Sequence, residues 1–439
     1  MYQKYIECPV LSGNRSGTAE FSSPSLDETE TLFFYGRKIT MLTLDKVYHA
    51  AYVLKDVVRE TALIPSKINP LCETYLKTEN LQLTGSFKVR GAGYMISQLS
   101  EEEKARGVIA CSAGNHAQGV ALASAKYGIK ATICLPDGAP ISKVEATKSY
   151  GADVVMVKGV YDDAYRKALE LRDEKGYTFV HPFDDDNVIA GQGTIGLEIL
   201  NELDNIDAVV VPIGGGGLIS GVAFVIKHLA PHVKVYGVQS AGAPSMFNSV
   251  RDGKIERLKS VSTIADGIAV KEPGPNTFDL CSKYVDEIVT VSEDEISSAI
   301  LSLIEQHKMI AEGAGAVSAA AVMFNKIPVK DKKVVCVISG GNIDVTILSR
   351  VIERGLLTSG RTCNLCIELM DKPGQLMEVS TIIASLGANV ISVHHERASE
   401  TKDINGCYLR LVLETKNYKH IEQVTEALSE AGFGIVSVQ

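Results

Sequence analysis

Three glycine-bearing loops follow apolar, strand-like segments of this sequence. The run Gly214–Gly217 comes after AVVVPI and before LISGVAFVIKHLA, a segment with the composition of a helix. SAGNH at 112–116 follows GVIAC, and SGGN at 339–342 follows KKVVCVI. The carboxyl ends of strands line the ligand crevice of an open α/β sheet. We therefore expect the three loops to form one site, with three unrelated turns as the alternative.

The glycine run could hold a phosphate group. Consecutive backbone N–H groups at a helix N-terminus bind anions, whereas the alternative is a turn that needs glycine only for close packing. No P-loop lysine follows the run, which argues against a triphosphate. The GxGxxG spacing is absent, and the next strand ends at Gln239, where a dinucleotide site would have an acidic residue. A single phosphate fits the pattern best.

Lys88 is the candidate reactive amine. It lies in TGSFKVRGAG, with Phe87 and Val89 beside it and Arg90 as the nearest charge. A lysine in a partly apolar pocket has a lowered pKa, and its free amine can form a Schiff base with a carbonyl compound. Because most lysines are solvated surface residues, the position alone leaves that simpler interpretation open.

The elements that must position these residues alternate between strands and helices. From about residue 105 to 340, runs rich in Val and Ile are separated by helix-length segments, which indicates an α/β fold with a parallel sheet covered on both faces. Near residue 360 the order becomes βαββαβ, a ferredoxin-like unit. We predict a catalytic domain at 41–358 and a second domain at 362–439. Residues 1–40 are predicted to be a disordered extension or to precede the true start at Met41.

Composition excludes several classes of protein. The 439 residues are 45% hydrophobic and 22% charged, which suits a globular protein of more than one domain. A net charge of −9 gives no basic surface for nucleic acid. Glycine turns interrupt the two longest uncharged windows, so no membrane span is predicted. The N-terminus carries acidic residues without a continuous apolar stretch, so no signal peptide is predicted. Nine scattered cysteines favour a reducing cytoplasm, and the single CxxC, Cys363 and Cys366, lacks a partner pair for a metal.

Six motifs occur in an order that resembles one enzyme family. They are KTENLQLTGSFKVRGA (77–92), SAGNHAQG (112–119), HPFDD (181–185), AGQGTIGLEI (190–199), GGGGLISG (214–221) and SGGN (339–342). The sequence resembles the fold-type II pyridoxal phosphate enzymes, and among them the threonine dehydratases (threonine ammonia-lyases) with a C-terminal ACT domain. The resemblance implies two open, twisted, mostly parallel sheets with helices on both faces, and pyridoxal 5′-phosphate as cofactor.

The resemblance also implies a role for each matching residue. Lys88 would bind the cofactor as a Schiff base and then act as the base on Cα–H. Phe87 would pack against the ring, Asn115 would bond its 3′-oxygen, and Ser339 would meet its pyridine nitrogen. The phosphate would lie on the backbone of Gly214, Gly215, Gly216, Gly217 and Leu218. The amino-acid substrate would contact Ser86, Ser112 and Asn115.

The implied reaction is β-elimination. Lys88 takes the α-proton, the β-hydroxyl leaves as water, and hydrolysis yields a 2-oxo acid and ammonia. Threonine would give 2-oxobutanoate, and serine would give pyruvate as a side activity. Three alternatives stay open: an L-serine dehydratase, a β-replacement enzyme of the same fold, and an amino-acid sensor that has lost activity. The presence of Lys88, Asn115 and Ser339 disfavours the last.

Four positions depart from related enzymes or stay ambiguous. Ala113 stands where serine racemases have a second serine as acid/base, which disfavours racemisation. Gln239 and Ser245 replace the acidic residues that bind a divalent cation in those relatives, so no divalent metal is predicted, and a monovalent cation held by carbonyl groups stays open. Glu312 lies in a segment that the family places near the site, but an acidic residue at a helix N-terminus would suit the helix dipole equally.

The C-terminal unit resembles an ACT domain, whose paired copies bind an amino acid such as isoleucine as effector. Gly374, Leu376 and Asn389 are the predicted effector contacts. His394 and His395 point to opposite faces of a strand, which argues against joint metal ligation. A homo-oligomer, either a dimer or a tetramer, is implied by the resemblance.

Overall fold

The computed structural model describes residues 33–34, 37–38, 42–397 and 406–438. The predicted N-terminal extension, 1–40, lies outside the described residues except for the backbone of two short antiparallel strands, β1 (Phe33–Phe34) and β2 (Arg37–Lys38). Its status as disordered or untranslated therefore stays a prediction. All further elements belong to the unit Leu42–Gln439.

Strands and helices alternate between residues 44 and 358. The strands are β3 (Leu63–Ser66), β4 (Glu73–Lys77), β5 (Val108–Cys111), β6 (Ala131–Pro136), β7 (Asp153–Val157), β8 (Thr178–Phe179), β9 (Ala208–Pro212), β10 (Lys234–Ser240), β11 (Glu287–Val291) and β12 (Lys333–Val337). The helices are α1 (Leu44–Val53), α2 (Lys88–Ser97), α3 (Glu101–Arg106), α4 (Asn115–Lys126), α5 (Ile141–Ser149), α6 (Tyr161–Lys175), α7 (Asp186–Glu202), α8 (Gly217–Leu229), α9 (Ser245–Asp252), α10 (Pro275–Tyr284), α11 (Glu293–His307), α12 (Gly313–Met323) and α13 (Val345–Thr358). Short 3-10 turns occupy Leu54–Asp56, Glu79–Leu81 and Asp266–Ile268.

The strands form two sheets. The larger sheet has the order β11–β10–β9–β12–β4–β3 and is parallel except for the edge pair β3–β4. The smaller sheet has the order β7–β6–β5–β8 and is parallel throughout. Because β5 and β9 are buried along their whole length, they appear in the sequence as unbroken apolar runs. The predicted α/β fold with two mostly parallel sheets is confirmed.

Helices cover both faces of the larger sheet. In β9, Val210 packs in the cluster of α11 and α12, whereas Val209 and Val211 pack in the cluster of α7 and α8 on the other face. The small residues of α12, GAGAVSAAAVM, let this helix approach the sheet closely, and ten of them are buried. Within the described part of the chain, no helix is long and apolar enough to cross a membrane.

The C-terminal unit is an antiparallel sheet with two helices. Its elements are β13 (Thr362–Met370), α14 (Gln375–Ser385), β14 (Asn389–Glu396), β15 (Gly406–Glu414), α15 (Tyr418–Glu430) and β16 (Gly434–Val438). The strand order is β14–β15–β13–β16, and the core includes Leu365, Leu411, Val379 and Leu428 from strands and helices. This βαββαβ order confirms the predicted ferredoxin-like, ACT-type fold.

Candidate active site

Lys88 begins α2, and the loop before it is tied to the SGGN loop. The backbone N–H of Phe87 donates to the carbonyl of Ser339 at 3.1 Å, and Ser86 forms an isolated antiparallel bridge with Gly340. Lys88 Nζ donates to the carbonyl of Pro182 at 2.7 Å, which places the amine against the HPFDD motif. The HPFDD motif at 181–185 and the SGGN motif at 339–342 therefore both contact the segment around Lys88.

Burial sets the protonation of Lys88 and its neighbours. Desolvation lowers the pKa of Lys88 to about 8, although the charge of Glu312 favours the protonated form. Burial, followed by the charge of Lys88, also lowers the pKa of His116 to about 3 and that of His181 to about 4. Both histidines are therefore neutral near pH 7. Lys88 is protonated at that pH and loses its proton when the pH rises through its pKa of about 8.

Hydrogen bonds fix the tautomers of these histidines. His116 Nε2 lies 2.9 Å from the carbonyl of Val180, so this nitrogen carries the proton and donates it. His181 Nδ1 accepts from the backbone N–H groups of Phe183 and Asp184 at 3.3 and 2.8 Å. These hydrogen bonds hold both rings in place beside Lys88.

A buried network connects Asn115 to Glu312. Asn115 Nδ2 donates to Glu312 Oε1 at 2.6 Å, and Asn342 Nδ2 lies 2.8 Å from Asn115 Oδ1 and 2.7 Å from the carbonyl of Thr84. Glu312 is the N-cap residue of α12, but its side chain makes no capping bond. Burial and the charge of Asp266 raise the pKa of Glu312 to about 7. Of the two interpretations left open by the sequence, this geometry favours the one in which Glu312 faces the site.

The glycine run forms a loop that only glycine fits. Gly216 has φ +97°, and a Cβ on Gly217 would lie 2.8 Å from the carbonyl oxygen of Phe183. The ring of Phe183 occupies the space beside Gly215, and Thr277 Oγ1 donates to the carbonyl of Gly215 at 2.6 Å. The structure gives no hydrogen-bond partner to the backbone N–H groups of residues 214–217 at the start of α8. This cradle of free donors at a helix N-terminus fits a phosphate.

The serines predicted from the sequence have different surroundings. Ser86 Oγ is fully buried without a hydrogen-bond partner, which is costly unless a ligand provides one. Ser112 Oγ accepts from the backbone N–H of Gly114 at 3.1 Å and is half-buried. Ser339 Oγ is buried and donates to the carbonyl of Ala314 at 3.3 Å. Ser86 lies on the loop before Lys88 and Ser339 lies on the SGGN loop, and these two loops are hydrogen-bonded to each other.

The sequence interpretation did not single out three contacts that hold the site together. Asn342 fixes the amide of Asn115, Pro182 accepts from Lys88, and Thr277 closes the glycine loop. Asn342 and Pro182 belong to the quoted motifs SGGN and HPFDD, so the motifs were the available signal. Thr277 lies outside all six motifs, and nothing in its local sequence marks it.

Comparison with known proteins identifies the family. Residues 54–340 match the family described as "Pyridoxal-phosphate dependent enzyme". This chain belongs to that family. An L-threonine ammonia-lyase of Thermotoga maritima is 52% identical over 398 residues, covering 90% of this chain and 99% of the relative. The predicted resemblance and the predicted cofactor, pyridoxal 5′-phosphate, are confirmed.

Solved structures of this pyridoxal-phosphate family agree with the fold. The processed form of threonine deaminase isoform 2 from Solanum lycopersicum is 41% identical with a TM-score of 0.67, covering 71% of this chain and 89% of that one. A serine racemase from maize is 33% identical with a TM-score of 0.67, covering 71% and 97%. The site residues fit the cofactor, because a buried amine, a cradle of free N–H groups and a neutral serine hydroxyl are all present.

Proposed function

We propose that this protein catalyses the pyridoxal-phosphate-dependent deamination of L-threonine to 2-oxobutanoate and ammonia, with L-serine giving pyruvate as a side reaction. The observation that carries the proposal is the buried Lys88 amine, whose pKa of about 8 suits a base at neutral pH. Relatives named L-threonine ammonia-lyase match nearly the whole chain, including its C-terminal unit. When bound, the cofactor supplies a ring that stabilises negative charge at Cα.

Lys88 performs the proton transfer in this proposal. Its partly buried amine is desolvated, which limits the loss of a proton taken from Cα to bulk water, and the carbonyl of Pro182 accepts a hydrogen bond from Nζ and positions it. Because their pKa values are lowered to about 3 and about 4, His116 and His181 are weak bases, which leaves Lys88 as the stronger base of the three. Proton transfer by a positioned base typically contributes about 10²- to 10⁴-fold to the rate.

Asn115 and Glu312 form the second part of the proposed machinery. An amide nitrogen has two N–H donors, and Asn115 uses one of them on Glu312. The second donor is free for the 3′-oxygen of the cofactor, the role predicted from the sequence. Because the pKa of Glu312 lies near 7, this carboxyl group can hold or release a proton beside that oxygen during turnover.

The glycine loop and the serines complete the proposed binding site. Residues 214–217 and the N-terminal amide of Leu218 would hold the phosphate, and Ser339 would meet the pyridine nitrogen as a neutral partner. Ser86 and Ser112, together with the backbone N–H of Asn115 at the start of α4, would bind the substrate carboxylate. The unpartnered Ser86 hydroxyl supports this assignment, since a carboxylate oxygen would satisfy it.

Racemisation is the competing activity that the fold also hosts, as the maize serine racemase illustrates. Ala113 follows Ser112 in the asparagine loop, and its methyl group cannot deliver a proton to the second face of Cα. We therefore expect 2-oxo acid release from L-threonine and L-serine without D-serine formation. Coupled 2-oxo acid assays and chiral chromatography test this directly, and D-serine at rates comparable to pyruvate would contradict it.

An amino-acid effector is proposed at the C-terminal unit. A cavity of about 380 Å³ lies beside the loop that precedes α14, and Gly374 and Leu376 line it. The N-terminus of α14 suits a carboxylate, while Leu369, Leu376 and Leu409 suit an apolar side chain such as that of isoleucine. Asn389 lies at the opposite end of the sheet, 3.3 Å from Glu414, so its predicted contact stays a prediction.

The effector proposal is tested by steady-state kinetics. Isoleucine should inhibit 2-oxobutanoate release, and Leu376→Asp should abolish that inhibition while leaving activity without effector unchanged. Asn389→Ala tests whether the effector also contacts the opposite end of the sheet. Inhibition by isoleucine stays intact in this variant if the cavity alone binds the effector. Identical inhibition curves for the native protein and Leu376→Asp would contradict the assignment.

A homo-oligomer, dimer or tetramer, is also proposed. Both edge strands of the C-terminal sheet carry exposed apolar residues, Ile391 on β14 and Val436 and Val438 on β16. Such edges are usually paired or covered. Light scattering of native protein and Ile391→Lys tests the role of β14, and a native monomer would contradict the proposal.

We place the protein in the cytoplasm. The cysteines of the described residues are all free thiols, and seven of the eight are buried, as expected in a reducing compartment. Fractionation of cells that express the protein tests this placement.

A further inference from the structure

Three potential metal ligands converge in the C-terminal unit. Asp371 follows β13, His395 lies near the end of β14, and Cys407 lies near the start of β15. Their ligand atoms all lie within 4.8 Å of one another. Within the described part of the chain, this is the single group of three His, Cys, Asp or Glu side chains that meets in this way.

The sheet register explains why two of the three residues meet. His395 is opposite Leu409 and Cys407 is opposite Leu369, so both side chains lie on the face that the helices cover. His394 is opposite Arg410 on the other face, in agreement with the predicted separation of the two histidines. His395 therefore meets Cys407 diagonally across neighbouring strands, and the turn after β13 brings Asp371 to the same point.

We propose that Asp371, His395 and Cys407 bind one Zn²⁺ ion. Carboxylate oxygen, imidazole nitrogen and thiolate sulfur are the ligands that Zn²⁺ takes, with bonds of about 2.0 to 2.3 Å and ligand–ligand edges of about 3.3 to 3.6 Å. His395 Nε2 lies 3.0 Å from Cys407 Sγ, slightly less than this ligand–ligand distance, and 3.9 Å from Asp371 Oδ1, slightly more than it. On binding, the Cys407 thiol loses its proton to solvent and its S–H contact with the Leu369 carbonyl.

The same distances argue against a nucleophilic triad. In a Cys–His–Asp relay, the acid contacts one ring nitrogen and the thiol contacts the other. Here Asp371 and Cys407 both approach Nε2 of His395. Cys407 is also fully buried, whereas a reactive thiol needs access to its substrate.

The surroundings supply what a metal site needs. Arg397 Nε donates to Asp371 Oδ2 at 2.6 Å, which orients the carboxylate and leaves Oδ1 facing His395. Asp371 and His395 also line the cavity of about 380 Å³, so an ion has an entry path and room for a fourth ligand such as water. The site lies in the C-terminal unit, whereas Lys88 begins α2 in the α/β part of the chain.

The test uses Co²⁺ as a spectroscopic probe for the Zn²⁺ site in the full-length holoenzyme. We expect one Co²⁺ ion to bind per chain and to show the long-wavelength ligand-field bands of a four-coordinate site with a thiolate ligand. Zn²⁺ should displace the bound Co²⁺, whereas Mg²⁺ should not. His395→Ala and Asp371→Asn should each weaken binding at least about tenfold, and Cys407→Ser should abolish the thiolate signature.

Matched controls make the proposal falsifiable. His394→Ala changes the neighbouring histidine on the other face, and Cys72→Ser changes a cysteine far from the cluster in sequence; both should bind Co²⁺ like the native protein. If Cys407→Ser fails to fold, His395→Ala and Asp371→Asn still carry the test, because both side chains are partly exposed. The proposal is overturned if no stoichiometric Co²⁺ binds, or if the control variants lose the signal as the ligand variants do.

Discussion

At the scale of single residues, two buried groups have opposing shifts of their pKa. Burial disfavours the charged form of each, so the pKa of Lys88 falls to about 8 and that of Glu312 rises to about 7. The two values are close to the pH at which the enzyme is expected to work. A base and a proton-holding acid are therefore available in one pocket, a pattern typical of catalytic sites.

The raised pKa of Glu312 predicts a pH-dependent gain of stability in Glu312→Gln. The folded pKa of about 7 lies above the ordinary value of 4.5, so the folded state loses stability relative to the unfolded state as the pH rises from 4.5 through 7. Glutamine is neutral throughout. The difference between the two pKa values corresponds to about 3 kcal/mol of unfolding free energy. Urea unfolding of the cofactor-free proteins should therefore show almost equal stability at pH 4.5. At pH 8 the variant should be more stable than the native protein by up to about 3 kcal/mol. A difference that does not change with pH would contradict this.

The residue types in the six motifs predicted the family and the cofactor. They could not predict the distances between the side chains of the site. Lys88 and Asn115 were named from the sequence, but the burial that lowers the pKa of Lys88 and its contact with Pro182 depend on the tertiary fold. Asn342 contacts Asn115 only because β12 and β5 end at the same site. Sequence patterns record local neighbours, and these contacts are long-range.

At the scale of elements, strand ends and helix starts position the chemistry. β9 ends at Pro212 and α8 begins at Gly217, so the glycine loop is a short connection between a buried strand and the N-terminus of a helix. Phe183 of the HPFDD motif packs against this loop, while Pro182 contacts Lys88. One motif therefore supports both the phosphate cradle and the reactive amine.

This packing predicts the effect of a single methyl group. Gly217→Ala would place Cβ 2.8 Å from the carbonyl oxygen and 2.9 Å from the Cα of Phe183, and backbone atoms cannot rotate away. We expect cofactor affinity to fall by about 5- to 150-fold if the overpacking cost of roughly 1 to 3 kcal/mol falls on the cofactor-bound loop. Gly138→Ala is the control, since nothing lies within 4 Å of its added methyl. Equal pyridoxal phosphate affinity in both variants, measured by equilibrium titration, would contradict the assignment of the loop.

Periodicity predicted the elements better than their arrangement. The βαββαβ order and the parallel strands follow from apolar runs and helix-length gaps. The position of β12 between β9 and β4 depends on contacts across more than 100 residues, which no local pattern records. The clustering of Asp371, His395 and Cys407 depends on the register of the neighbouring strands and on the turn after β13, which the residue pattern does not give either.

At the scale of the whole molecule, α13 connects the site to the C-terminal unit. The helix starts three residues after Asn342 of the SGGN loop and leads into β13. Arg361 forms an ion pair with Glu305 of α11, and the hydroxyl of Tyr418 donates to the carbonyl of Thr358 at 2.8 Å. An effector that shifts the C-terminal unit would therefore act on the end of α13.

The hydroxyl of Tyr418 is predicted to contribute to this coupling. Tyr418→Phe removes one hydrogen bond, worth about 0.5 to 1.5 kcal/mol, and keeps the ring. We expect isoleucine inhibition to weaken by about two- to tenfold in concentration while activity without isoleucine is unchanged. Threonine titrations at several isoleucine concentrations measure this. An unchanged inhibition curve would show that the contact carries no coupling.

The most direct test of the central claim is steady-state release of 2-oxobutanoate from L-threonine by native holoenzyme, Lys88→Ala and Lys88→Arg. Arginine keeps the positive charge, but its pKa above about 12 leaves no free amine. The account predicts robust activity in the native protein and a loss of at least about 10³-fold in both variants, with loss of the visible band of the lysine-linked cofactor. Release of 2-oxobutanoate by either variant at more than about a tenth of the native rate would contradict the assignment of Lys88 as base.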